Sequence, residues 1–128
     1  MRPEDCLYTQ EHEWLHKEGN EATVGITDYA VSQLGGITFV ELPEEGQRVG
    51  KGEPMASVES VKAVSDICAP ASGTISAVNR ALADEPQLID EGPYEGGWIC
   101  KIVLEEQGEL EELMDAEAYR KHVEALPE

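Results

Sequence analysis

"ESVKAVSDICAPASG", residues 59–73, is the stretch on which the reading of this chain turns. It holds the end of one short β-prone run, "MASVES" (55–60), and the whole of another, "AVSDICA" (63–69), separated by Val61-Lys62. That corner has no Gly, Asn or Asp, the residues that ease a tight hairpin. A turn that gives up favourable chemistry marks a place where function can override local preference. On a rigid tip the Lys62 ammonium would stand clear of the body, open to a modifying enzyme. Acylated, it would lose its charge and become the root of a long tether. Two other readings stand beside this one. Lys62 is a plain solvated lysine, or it is a Schiff-base lysine, which needs a desolvated pocket to lower its pKa. The polar flanks Glu59, Ser60, Ser65 and Asp66 disfavour the last.

Outward from the tip the pattern stays short and extended. Trp14 to Lys17 and Ala22 to Ile26, around the Gly19-Asn20 turn signal, read as a hairpin. Thr27 can cap a short helix that Gly35 ends in the left-handed conformation. "ITFVELP" (37–43) is a strand stopped by Pro43, "EEGQRVGKGEP" (44–54) is turn-like, and "APASGTISAVN" (69–79) gives a corner and a strand. "DEPQLIDEGPYEGG" (84–97) reads as a long polar connection. "WICKIVL" (98–104) puts Trp98, Cys100, Ile102 and Leu104 on one face, the clearest period-two pattern in the chain. In the tail Leu110, Leu113 and Met114 share a helical face, and Asp115 can cap a second helix bearing Tyr119, Val123 and Leu126. Seven short strands followed by helices suggest a small β-barrel or sandwich with a helical appendage packed on it.

Composition narrows the function classes. With 128 residues one domain is expected, with a core over about 7–104 and an appendage over about 108–126. Twenty-seven acids against nine Lys and Arg give a net charge of −18, which argues against nucleic acid and anionic membranes. Three irregularly spaced cysteines fit a reducing compartment, and residues 1–10 lack a targeting pattern, so a cytoplasmic chain is expected. "HEWLH" (12–16) spells a zinc-peptidase signature. That chemistry needs His12 and His16 one helical turn apart, yet the stretch ends beside the Gly19-Asn20 turn with no amphipathic helix around it. On a strand the two would share a face about 13 Å apart, too far for one ion. No metal site is expected, and the histidines read as surface residues.

Several segments together resemble the H-protein family of the glycine cleavage system: "LYTQEHEWL", "ATVGITDYA", "LGGITFVELPEEG", "ESVKAVSDICAPASG", "DEPQLIDEGPYEGGWICKI" and "ELEELMDAEAY". The similarity runs in order from about Leu7 to about Tyr119. It implies a mainly β barrel-sandwich hybrid of the lipoyl/biotinyl type, two small antiparallel sheets with the modified lysine on a hairpin tip, a short internal helix and C-terminal helices. It further implies that Lys62 bears lipoate in amide linkage. The carrier itself would catalyse nothing. It would take an aminomethyl group from a pyridoxal-phosphate glycine decarboxylase and deliver it to an aminomethyltransferase using tetrahydrofolate. Dihydrolipoamide dehydrogenase, with FAD and NAD, would then reoxidise the dithiol. Lipoate-attaching enzymes complete the expected partners, and a monomer is expected.

By the same resemblance the loaded arm folds into a surface cleft where acidic residues hold its amine, and the matching positions are Glu13 and Asp66. The chain departs from the family pattern at Glu11, Gln33, Cys68 and Asp90, none of which touches the lysine motif. Cys68 is expected to pack as a small apolar residue. The alternative function is a lipoyl carrier or lipoate depot of the same fold serving another complex. Biotinyl domains flank their lysine with Met and 2-oxoacid dehydrogenase lipoyl domains precede it with Asp, whereas this chain has Val61 and Ala63.

Overall fold

The computed structural model describes residues 3–126. Nine short strands build two antiparallel sheets: β1 (Leu7–Tyr8), β2 (Glu13–Glu18), β3 (Glu21–Ile26), β4 (Ile37–Glu41), β5 (Arg48–Val49), β6 (Pro54–Ser60), β7 (Val64–Cys68), β8 (Gly73–Val78) and β9 (Cys100–Leu104). The larger sheet runs β1-β2-β3-β9-β8-β5 and the smaller β4-β6-β7. Helix α1 (Asp28–Leu34) follows β3, α2 (Ala81–Asp84) and α3 (Leu88–Glu91) lie between β8 and β9, and α4 (Ala116–Glu124) closes the chain. The expected mainly β, two-sheet barrel-sandwich is the fold found.

Alternation explains the packing. Val24, Ile75, Cys100 and Ile102 from the large sheet and Val40, Val58 and Ile67 from the small one are buried in a single aliphatic core. A second, aromatic cluster gathers Cys6, Tyr8, Trp14, Tyr94 and Tyr119 under the C-terminal helix. Trp14 dictates a glycine opposite it. Gly25 is its cross-strand partner, and a Cβ there would stand 2.6 Å from the indole, so the ring lies flat on bare backbone while its Nε1 donates to Pro93 O at 3.0 Å.

Local expectations hold at both helix caps that sequence marked. Thr27 accepts from Ala30 N, and Asp115 accepts from Ala118 N. Three expectations need correction. The "polar connection" (84–97) contains α3, whose Ile89 is fully buried, and α2, with Leu82 fully buried, occupies the stretch just before it to which no element was assigned; one fully buried anchor per short helix was too sparse for a period of 3.6 to be seen. The turn-like stretch holds β5, two residues long. In the tail, Leu110 is buried in a 3₁₀ turn (Gln107–Glu112), but Met114 is extended and bridges Tyr8 through a pair of backbone hydrogen bonds of 2.8 and 2.9 Å. Backbone pairing to a free strand edge there outweighs a helical stripe.

Candidate functional site: the β6–β7 hairpin and the cleft at its base

Lys62 stands exposed at the β6–β7 turn. His12 is the sole non-glycine with a positive φ among the described residues, so Val61 and Lys62 do not form the positive-φ turns that suit hairpins. Ser60 supplies what the corner lacks. Its hydroxyl accepts from Lys62 N at 3.3 Å and Ala63 N at 3.1 Å, while Ser60 N donates to Ala63 O at 2.8 Å. The sequence reading took Ser60 only as a polar flank and missed this role, although a serine just before a two-residue corner is the mark of a hydroxyl-stabilised turn. Ser60→Ala should lower stability by about 1 kcal/mol and speed amide hydrogen exchange at Lys62 and Ala63. Unchanged exchange there would contradict the assignment.

The lysine stem lies over α1. Gly35 caps that helix with φ 67°, and a Cβ on it would sit 3.5 Å from Lys62 Cε and 3.7 Å from Nζ. No enclosed pocket surrounds the amine, as a Schiff-base lysine would require. Asp90 Oδ2 accepts from Ile37 N at 3.0 Å and so pins the chain just after the Gly35–Gly36 turn.

β7 runs from the tip to a cleft of about 310 Å³ lined by Thr9, Glu11, Glu13, Lys51, Cys68 and Pro70, among others. Four strand steps separate Val64 from Cys68, about 13 Å. Glu13 is only 3% exposed. Its Oε1 accepts from Thr9 Oγ1 at 2.7 Å and its Oε2 from Cys68 N at 3.1 Å, so a carboxylate fastens the outer edge of β7 to β2. Burial pushes the Glu13 pKa above the ordinary carboxylate range, against the pull of these two donors. Asp66 is exposed and, two residues up from Cys68, occupies the same face of β7. Glu13 and Asp66 thus attach to neighbouring points of one strand, the first in the cleft and the second on the way to Lys62. The Cys68 thiol is half-buried beside Glu13, and its pKa is raised by burial first and then by the carboxylates Glu13, Glu11 and Asp66. Lys51 closes the far side, ion-paired with Glu112. A larger concavity of about 840 Å³ lies between the N-terminal turn, α1 and α4, and neither Lys62 nor Glu13 lines it.

The zinc spelling dissolves in this geometry. His12 precedes β2 at φ 74°, on a turn in which its N–H donates to Thr9 O, and only His16 is in the strand. His12 therefore lies outside the strand, and the description of it as a surface residue is wrong. Its ring is half-buried, with Nδ1 2.8 Å from Tyr119 Oη, and Tyr119 Oη is 2.8 Å from Thr27 Oγ1. The His12 ring also meets Tyr29 in a tilted contact, with centroids 4.7 Å apart, and lies 6.0 Å from His122. Among the described residues no group of three or more His, Cys, Asp or Glu is placed to hold a metal.

Burial, and next the His122 charge, hold the His12 pKa below 6.5, with Glu11 pulling the other way. A histidine with a lowered folded pKa binds fewer protons than in the unfolded chain, so its neutral form stabilises the fold and that contribution is lost as pH falls below 6.5. The urea midpoint should drop across that window in the wild type and drop less in His12→Asn. Equal slopes would refute the linkage.

The family model described as "Glycine cleavage H-protein" matches residues 6–126. The chain belongs to the glycine cleavage H-protein family. H proteins of Bacillus cereus and Bacillus cytotoxicus are each 50% identical to it over 117 residues, covering 91% of this chain and 92% of theirs. The crystal structure of a glycine cleavage system H protein from Mycobacterium marinum superimposes with a TM-score of 0.85 at 39% identity, over 96% of this chain and 99% of that one. H proteins are carriers of the glycine cleavage system and a lipoate-bearing family, so a lysine on a stiff tip above a carboxylate-lined cleft is the feature to explain. Among the described residues no helix is long and apolar enough to cross a membrane.

Proposed function

We propose that the chain is a single cytoplasmic, monomeric carrier unit whose Lys62 Nζ bears lipoate in amide linkage. It shuttles the aminomethyl group of glycine from glycine decarboxylase to aminomethyltransferase, then reducing equivalents to dihydrolipoamide dehydrogenase, and catalyses none of these steps. One observation carries the reading: in a chain of this family, the Lys62 amine is displayed on a turn stitched by Ser60, without a pocket of its own.

The residues present fit such an arm. The stem already lies along the side-chain-free Gly35, and β7 leads from the tip to the cleft. When bound, lipoate supplies a redox-active disulfide that accepts an aminomethyl group and later yields electrons. The chain's part is to hold and shield. Glu13 and Asp66 offer carboxylates to the amine of the cargo, and the half-closed cleft limits attack by water. An exposed pair alone gives about 0.2–1 kcal/mol. Burial of Glu13 makes its charge costly when alone, so an incoming cation is held more firmly than at the surface. Mixing the lipoylated chain with the three enzymes, glycine, tetrahydrofolate and NAD tests this. Glycine-dependent NADH formation that needs the lipoylated chain supports the proposal, and full activity without it defeats it.

A further inference from the structure

Large apolar side chains are exposed at four places among the described residues, and three of them surround Lys62. Phe39 (50% exposed), Val61 (84%) and Val64 (66%) belong to the small sheet and its hairpin tip; Val103 (37%) lies on the large sheet. The register shows that this is one surface. Phe39 on β4 and Val64 on β7 are both cross-strand partners of Glu59 on β6, and directly paired residues point to the same face. In the next row of that face, Glu41 and Asp66 both pair with Ser57. Val40, Val58 and Ile67 fill the opposite, core-facing side. β4, β6 and β7 contain three carboxylates and no Lys or Arg. The outer face is therefore a patch of two apolar anchors set among negative charges, directly below the lysine.

We propose that this outer face is the docking surface for the enzyme that acylates Lys62, which meets Phe39 and Val64 with an apolar surface bordered by Arg or Lys. The inference rests on the function proposed above. Its occupant follows from where the chemistry happens. Attachment occurs at Nζ itself, so the acylating enzyme has to close around the hairpin root, whereas enzymes that work at the far end of a finished arm act away from it. In that step Nζ, having shed a proton, attacks a lipoyl carbonyl activated as an adenylate or thioester. The C–N bond forms, the acyl–oxygen or acyl–sulfur bond breaks, and its electron pair leaves with the nucleotide or thiol; nothing is oxidised or reduced. A second copy of this chain is a poor occupant, because it would set Glu41, Glu59 and Asp66 against their own counterparts. Complementarity calls for a basic partner.

The test compares apo-chains as substrates for a lipoate ligase supplied with ATP and free lipoate. Phe39→Ser combined with Val64→Ser should raise KM about tenfold with kcat unchanged, the scale of losing interface anchors. Phe39→Leu with Val64→Ile should keep KM within twofold, and so should Val103→Ser, an exposed valine removed from the other sheet. Once lipoylated, the double serine variant should be loaded by glycine decarboxylase at the wild-type rate. All are surface changes, so thermal unfolding should be near wild type. An unchanged KM in the double serine variant overturns the proposal. So does an equal rise in Val103→Ser, or a defect confined to loading by the decarboxylase. If the wild-type chain accepts no lipoate, the proposed function itself falls; if it accepts lipoate and only the docking variants behave as wild type, the docking face alone is wrong.

Discussion

Lys62→Arg will fold as the wild type does and will pass no one-carbon unit from glycine to folate. The side chain is exposed and its stem rests on Gly35, so the change should alter stability by no more than about 0.5 kcal/mol. Arginine keeps the charge but not the chemistry: its guanidinium stays protonated at any accessible pH and offers no amine to acylate. Glycine-dependent formation of methylene-tetrahydrofolate and NADH should therefore fall to the rate measured without the carrier. A reconstituted system that runs at normal speed on the arginine variant would show that Lys62 is a bystander.

The second large effect is at Glu13 and carries two opposite signs. Burial raises the Glu13 pKa, so the folded chain binds a proton there more readily than the unfolded chain. A raised folded pKa means that the contribution to stability is present below the ordinary value of 4.5 and is lost as pH rises through the folded pKa. At neutral pH the lone ionised carboxylate is thus a burden on the fold. Glu13→Gln should raise the unfolding temperature at pH 7 and flatten the dependence of stability on pH above 4.5. The amide can keep both contacts, accepting from Cys68 N and donating to Thr9 Oγ1. In the loaded carrier the same change, with Asp66→Asn, removes the partners of the cargo's amine. Release of the aminomethyl group should accelerate about tenfold or more, since hydrogen bonds to charged groups contribute about 1.5–3 kcal/mol. A variant that is more stable and holds its cargo worse would identify Glu13 as a carboxylate kept for function at some expense of the fold. If the double amide variant releases cargo at the wild-type rate, the two acids do not hold the arm.

Much of this was legible in the sequence because the relevant signals are local. Thr27 and Asp115 sit immediately before helices and cap them, and "WICKIVL" alternates cleanly because β9 buries Cys100, Ile102 and Leu104. The Lys62 tip was visible as an anomaly, a hairpin corner without the usual turn residues. What stayed hidden depends on contacts far apart in the chain. Glu13 reads as one acid among many, and only the fold shows it buried under Cys68, 55 residues away. His12 spells a metal motif with His16, but its contacts are Tyr119 and Thr27, which no short-range pattern announces. Met114 followed a helical stripe on paper and was claimed by the edge of β1 instead. Phe39 and Val64 meet across β6 through a register that spacing alone does not give.

The carrier's chemistry rests on one amine. Between Lys51 and Arg80 the chain has Lys62 as its only basic residue, so trypsin cuts this stretch after residue 62 unless that side chain is acylated. Protein produced together with a lipoate-attaching enzyme and ample lipoate should give an uncut peptide spanning 52–80, heavier by one lipoyl group. Separate peptides 52–62 and 63–80, with the lipoyl increment on another lysine or on none, would contradict the account at its root.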